Sequence, residues 1–257
     1  MWQKPELELL HAKWDSAQVQ AFFTCREGGV SSGPFGGVDG IMGLNLAMHT
    51  GDVPACVSMN RQIVASLLPR APRYITQVHG VNVVRAERVE NLVRADAAWT
   101  DQRNVVCAVM VADCLPVLFA ATDGSFVGAI HAGWRSLADG IIQKTINQVR
   151  QSYPEKEIQA WLGPCIGADD FEVGCDVLQA MQQHLPQATQ HFTQKENGQY
   201  LCDLVGLATD ALTQVGVTRI RSDRLSTFAD PKRFYSYRRD GRKSGRHVAC
   251  IWRRAAE

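Results

Sequence analysis

NVVCAVMVADCLPVLFA (residues 104–120) and SFVGAIHAGW (residues 125–134) are two dense apolar runs separated by the turn signal Thr122-Asp123-Gly124. Runs this rich in Val, Ala and Leu suit strands covered on both faces, and a short Asp-Gly turn between them suits a hairpin. Such a hairpin brings Cys114 and His131 into one neighbourhood. A third polar residue, His79 of TQVHG, also sits just beyond an apolar stretch.

Working outward from this block, Val19 to Thr24 reads as a strand, and CREGGVSSGPFGGVDGIMG (residues 25–43) reads as a long glycine- and serine-rich loop. Val57 to Leu68 carries helical patterning. Leu137, Ile141, Ile142, Thr145, Ile146 and Val149 recur at helical spacing and predict a helix over 137–152, stopped by Pro154. IQAWLG predicts a strand. Asp176 to His184 and Asp203 to Val215 predict two helices, each opening on an Asp suited to an N-cap. VTRIR and HVACIW read as closing strands, with the basic, aromatic stretch FYSYRRDGRKSGR between them. The chain shows no internal repeat or heptad run. The expected class is α+β, a single domain over 1–257 with a mixed central β-sheet core flanked by helices.

The 257 residues are 46% hydrophobic, enough for a substantial core. Lys and Arg number 27 against 26 Asp and Glu, a net charge of +1, so no bulk field favours nucleic acid or an anionic membrane. The start MWQKPELELLHAKWD lacks the basic and apolar regions of a secretory signal, and no apolar run approaches bilayer length, so a cytoplasmic protein is expected. The eight cysteines are scattered without CxxC pairs and most are expected to be buried thiols, Cys107 and Cys250 among them.

His79, Cys114 and His131 together offer two imidazoles and a thiolate, donors that suit Zn²⁺ and leave a coordination position open. The same residues also allow a cysteine nucleophile activated by a neighbouring imidazole, or a copper centre. Copper is the weakest of these. Seven histidines with no Cys-x-His or His-x-His pattern leave too few ligands for a multicopper cluster, and Met110 lies too far along a strand to serve Cys114. Cys165 of GPCIG is a fourth ligand to consider, which would make a closed, structural zinc module.

The ordered segments REGGVSSGP, GLNLAMHTGD, NRQIV, TQVHG, ADCLPVLF, HAGW, LGPCIG, FEVG and FYSYRRDG closely resemble the YfiH/YlmD family, also called DUF152 or the peptidoglycan editing factor family, from about Phe22 to Trp252. The resemblance implies a zinc-dependent purine nucleoside phosphorylase acting on adenosine, inosine, guanosine and methylthioadenosine, with adenosine deaminase activity. It implies His79, Cys114 and His131 as metal ligands and catalytic residues, and it places Arg61 of NRQIV near the nucleoside. The implied partners are purine nucleosides and phosphate, with no nucleic acid and no membrane, and a homodimer is an allowed assembly. Family members are also described as laccases, with copper as an alternative metal, and some are linked to removing misbuilt cell-wall precursors, which makes an amidase a second enzymatic reading.

Two features depart from the family pattern. FGGVDGIMG adds glycine-rich chain before Leu44, which is expected to alter the pocket rim, and HAGWRS places Ser136 where most relatives have Gly. Further candidates follow from residue type. Arg26, beside Gly28-Gly29, is a phosphate-binding candidate whose alternative, favoured by the residues without the resemblance, is a solvated loop arginine; Asn45 is a substrate-binding candidate, and His49 is a candidate to bind substrate and act as an acid or base. Asp113 is read as a strand residue facing away from Cys114, with a second-layer carboxylate role as its functional alternative. Arg238, Arg239, Arg242, Lys243 and Arg246 form a basic stretch that would attract phosphate or simply be solvated.

Overall fold

The first apolar run is two strands in two different sheets. The computed structural model describes residues 7–90 and 93–255, so the first six residues of the amino-terminal stretch lie outside the described residues. In chain order the strands are β1 (Leu9–Leu10), β2 (Val19–Thr24), β3 (Glu27–Ser31), β4 (Val83–Arg85), β5 (Ala97–Thr100), β6 (Val106–Val111), β7 (Leu115–Ala121) and β8 (Val127–Ala132). They continue with β9 (Ile158–Leu162), β10 (Glu172–Val173), β11 (Phe192–Gln194), β12 (Tyr200–Cys202), β13 (Arg219–Ser222) and β14 (His247–Arg253). The helices are α1 (Pro54–Ala65), α2 (Trp134–Ala138), α3 (Ile141–Ser152), α4 (Cys175–Gln182), α5 (Leu204–Gln214) and α6 (Tyr237–Asp240).

One sheet has the order β1-β2-β14-β6, a second β13-β9-β7-β8-β5-β4, and a small third β10-β12-β11. The six-stranded sheet is mixed, with parallel pairs at both edges and antiparallel pairs inside. Strand alternation shows how the sheets stack. In β7, Leu115, Val117 and Phe119 face the helices, while Leu118 and Ala120 face the four-stranded sheet and meet Phe23, Val109 and Ile251 there. In β14, Ala249 and Ile251 face inward, and Val248, Cys250 and Trp252 face outward against Leu44, Leu46 and Val64. Each large strand is therefore covered on both faces, which is why its sequence is a continuous apolar run rather than an alternating one. The α+β class holds, with two stacked sheets where one central sheet was expected.

The chain passes from one sheet to the other at Ala112-Asp113-Cys114, and Asp113 takes a left-handed backbone, φ +83°. The hairpin expected from the Asp-Gly turn is present, pairing Leu115 with Ala132 and Pro116 with His131. The expected helix over 137–152 is instead α2 and α3, broken at Gly140. Gly140 has φ +81°, a conformation that interrupts the helix and that glycine adopts without a Cβ clash. Asp203 caps α5 by accepting the Gly206 N–H at 3.0 Å, whereas α4 is capped by Gly174, with Asp176 inside its first turn. The stretch 25–43 is not an open loop. It contains β3, and its tip folds on itself through Gly33 N–H to Gly40 O and Gly37 N–H to Ile41 O. No helix among the described residues is long and apolar enough to cross a membrane.

Candidate metal centre

Cys114 stands immediately before β7, His131 lies in the partner strand β8, and His79 lies on a turn over the same end of the sheet. Their ligand atoms all lie within 4.8 Å of one another, and they are the one such group of three His, Cys, Asp or Glu residues among the described residues. The His79 and His131 rings meet edge to face, 4.8 Å between centroids. The His79 turn is fastened to the edge strand β6. There the Gln77 side-chain amide donates to Met110 O and accepts from Met110 N–H, both at 2.7 Å.

Asp96, which sequence reasoning missed, organises both histidines. It is fully buried, and its Oδ1 lies 2.9 Å from His131 Nδ1. The same carboxylate accepts the backbone N–H groups of Val78, His79 and Gly80 at 2.8–3.3 Å. Holding Nδ1 this way leaves His131 Nε2 free to serve a metal, and the three backbone N–H groups the carboxylate accepts stabilise a turn in which His79 has φ +57°. Burial raises the Asp96 pKa, but the hydrogen bonds from His131 and the turn outweigh it and hold the carboxyl below its usual range. Burial likewise pushes His131 down, yet the Cys114 thiolate and Asp96 outweigh it and lift the imidazole to about 9 in the metal-free protein. His79 is lowered, by burial first and then by the positive charge of His131. A thiolate, two imidazoles and a carboxylate behind one of them form a donor set that fits a divalent metal.

Gly133 makes the close packing possible. A Cβ there would lie 2.6 Å from His79 Nδ1 and 3.2 Å from Cys114 Sγ, so a side chain would occupy the space the ligands share. Cys165 is not part of the group. It is buried, with its thiol 3.4 Å from Ile166 O, and so does not close the shell as a structural zinc module would require.

The trio opens into a cleft of about 980 Å³. It is lined by His49, Arg61, Tyr74 and Arg246 and by Trp134, Phe171, Leu204 and Tyr237. Its cations and rings interleave, with Arg61 over Tyr74, Arg246 over Tyr237, Arg135 over Trp134 and Arg238 over Phe171. His49 and Arg61 therefore reach the cleft as expected, but Arg26 and Asn45 do not. Arg26 donates to Gly36 O and Pro231 O and lies over the Tyr235 ring, fixing the long loop rather than a ligand. Asn45 is buried and binds Thr50, Asp52 and the Ala47 and Arg246 backbones. No residue of 35–43 lines the cleft, so the added glycine-rich chain does not shape the rim.

Asp113 is not a strand residue, and its carboxylate does not touch the histidines. It accepts Thr227 Oγ1 at 2.6 Å, Ser236 Oγ at 3.0 Å and Arg238 N–H at 2.6 Å, tying the carboxy-terminal segment to the crossing point beside Cys114. Ser136 lies inside α2 with an ordinary helical backbone and is buried, so no glycine conformation is needed there. Of the basic stretch, Arg238 and Arg246 line the cleft. Arg239 pairs with Asp240 and with the Thr227, Phe228 and Phe234 carbonyls, and Arg242 and Lys243 are exposed.

A family model described as multi-copper polyphenol oxidoreductase laccase matches residues 20–254. A Haemophilus influenzae protein named purine nucleoside phosphorylase is 38% identical over 251 residues, which cover 96% of this chain and 99% of that protein. Purine nucleoside phosphorylase YfiH of Escherichia coli is 39% identical over 249 residues, covering 95% and 98%. The crystal structure of a DUF152 protein from Neisseria meningitidis superposes with a TM-score of 0.87 at 41% identity, covering 96% of this chain and 99% of the other.

Proposed function

The chain belongs to the family described as multi-copper polyphenol oxidoreductase laccase, with YfiH and DUF152 proteins among its relatives, and on that premise we propose that it is a purine nucleoside phosphorylase with adenosine deaminase activity in the same cleft. The observation that carries the reading is the His79–Cys114–His131 group opening into a cleft lined by both arginines and aromatic rings. His79, Cys114 and His131 would hold the metal, for which zinc is the proposed identity. When bound, zinc supplies Lewis-acid polarisation at its open position.

The chain's own residues do the rest. Trp134, Phe171 and Tyr237, each with an arginine over one side of its ring, and Leu204 offer the surfaces against which a purine would lie. Phosphorolysis brings a phosphate oxygen to C1′ of the ribose while the bond to the base breaks, so the arginines are needed to place an anion and the base needs a proton. Burial, followed by the charges of Arg246 and Arg61, lowers the His49 pKa, so its neutral imidazole can take the hydroxyl proton of the attacking phosphate, the proton that the departing base then receives. Asp96 keeps the His131 ring in one tautomer, and the buried strands around the trio exclude water from its back.

One three-ligand group suits hydrolytic and transfer chemistry at a single metal better than electron relay among several coppers. Copper in this site is therefore read as a replacement for zinc, driven by its higher intrinsic affinity. The test is to incubate metal-analysed protein with adenosine, with and without phosphate, and to separate the products by chromatography. Adenine with ribose 1-phosphate, formed only with phosphate, is expected, together with inosine from deamination. Cys114→Ala and His131→Ala are expected to lose both products. Absence of both in the wild type, or full rates in both variants, contradicts the proposal.

A further inference from the structure

Arg61 and Arg246 come from distant parts of the chain and are both fastened to the Asn45-Leu46 stretch. Arg61 Nε donates to Leu46 O at 2.8 Å, while Arg246 N–H donates to Asn45 Oδ1 at 2.9 Å and Leu46 N–H donates to Arg246 O at 3.2 Å. Each guanidinium lies over an aromatic ring, Arg61 over Tyr74 at 4.4 Å and Arg246 over Tyr237 at 5.5 Å. Arg246 Nη1 also donates to Ser244 O and Gly245 O, at 2.7 and 3.0 Å. The remaining guanidinium nitrogens of both residues have no partner among the described residues.

Arg85, Arg219, Arg221, Arg224, Arg233 and Arg239 each close a carboxylate pair, whereas Arg61 and Arg246, like Arg135 and Arg238 of the same cleft, close none among the described residues. Of these four, Arg61 and Arg246 are the two anchored on Asn45-Leu46. Two half-buried, pre-oriented guanidinium groups that pair with no described carboxylate leave their free N–H groups available to an anion in the cleft. His49 lines the same cleft, near enough to both arginines for their charges to act on it, and burial lowers the pKa of both guanidinium groups, a direction that a bound anion would reverse. Arg246 is also close enough to Cys114 for their charges to interact, which places it beside the trio.

We propose that Arg61, Arg246 and His49 form a subsite for a tetrahedral oxyanion, which in the reaction is inorganic phosphate. Only the identity of the anion rests on the phosphorolytic reading. The planar forks of two arginines, held by Leu46 O and Tyr74 for Arg61 and by the Ser244 and Gly245 carbonyls and Tyr237 for Arg246, suit the oxygens of such an ion and leave one oxygen free to face the ribose. In the step served, that oxygen forms a bond to C1′ as the C1′–base bond breaks, and the bonding pair leaves with the base.

The test is equilibrium dialysis of the full chain with radiolabelled inorganic phosphate, with no nucleoside present, alongside adenosine 5′-monophosphate as a second probe. Saturable phosphate binding is expected, weakened about tenfold or more in Arg61→Gln and in Arg246→Gln. Arg61→Lys and Arg246→Lys should retain part of it, and Arg242→Gln, an exposed arginine outside the cleft, should leave it unchanged. Thermal unfolding of each variant checks the fold. No saturable binding in the wild type, equal binding in both glutamine variants, or capture of the monophosphate but not of inorganic phosphate through these arginines would overturn the subsite. Nucleoside cleavage is scored separately. Phosphorolysis with phosphate binding indifferent to both arginines defeats the subsite alone, and arginine-dependent phosphate binding without cleavage of any nucleoside defeats the phosphorylase reading alone.

Discussion

His131 in β8 and His247 in β14 are both buried, 3% and 0% exposed, and their surroundings give them opposite properties. His131 has the Asp96 carboxylate at 2.9 Å and Cys114 beside it, and although burial opposes this, it is lifted to about 9. His247 accepts the Tyr235 N–H at 2.8 Å and packs against the rings of Phe23, Phe234 and Tyr235. Burial pushes it down to about 3, and the charges of Arg26 and Arg246 add to the effect. The imidazole is the same, but an anion behind it suits the ligand role proposed for His131, whereas a backbone donor and aromatic rings make His247 a core residue.

The sharpest way to break this contrast is to remove the anion. Asp96→Asn is expected to lower metal affinity by about 10- to 100-fold, read as metal content and by competition with a chelator. It should also lower the His131 pKa in the metal-free protein, visible by NMR. Unchanged metal affinity would mean that Asp96 is only a turn residue.

Acid titration tests the other member. His247 takes up a proton at 6.5 when unfolded but only near 3 when folded, so its contribution to stability is complete above 6.5. That contribution is lost as pH falls from 6.5 toward 3, by about 1.4 kcal/mol per pH unit. His131 in the metal-free protein behaves oppositely, contributing fully below 6.5 and losing the contribution as pH rises through about 9. Urea unfolding across pH should show both limbs, and His247→Phe should flatten the acid limb alone. An acid limb unchanged in His247→Phe would assign it to carboxylates instead.

The smallest effect separates the two buried aspartates near the trio. Asp113→Asn weakens the ties to Thr227, Ser236 and Arg238 and is expected to destabilise the chain by about 1–3 kcal/mol while leaving metal content unchanged. Loss of metal in Asp113→Asn with the fold intact would show that the crossing turn also positions Cys114.

The parts of the molecule that were legible in the sequence are those fixed by local pattern. The hairpin that pairs Pro116 with His131 follows from two apolar runs and an Asp-Gly turn. The trio follows from polar residues placed beyond such runs. What lay outside local pattern was the partner of each element. Nothing between Val111 and Leu115 marks a change of sheet except Asp113, whose left-handed backbone was hidden in a run that reads as one strand. Asp96 stands immediately before the short apolar strand AAWT, the mirror of the signal that singled out Cys114 and His131. It was overlooked because its partner is 35 positions away and adjacency across β5 and β8 is set by topology. Arg26 shows the converse error, since a guanidinium beside glycines resembles an anion site until its carbonyl partners are known.

X-ray absorption at the metal edge, on protein carrying its native metal, tests the central claim most directly. One metal per chain is predicted, with one sulfur, two imidazole nitrogens and one light atom that exchanges with solvent or substrate. Two sulfurs, four protein ligands or several coppers per chain would contradict it.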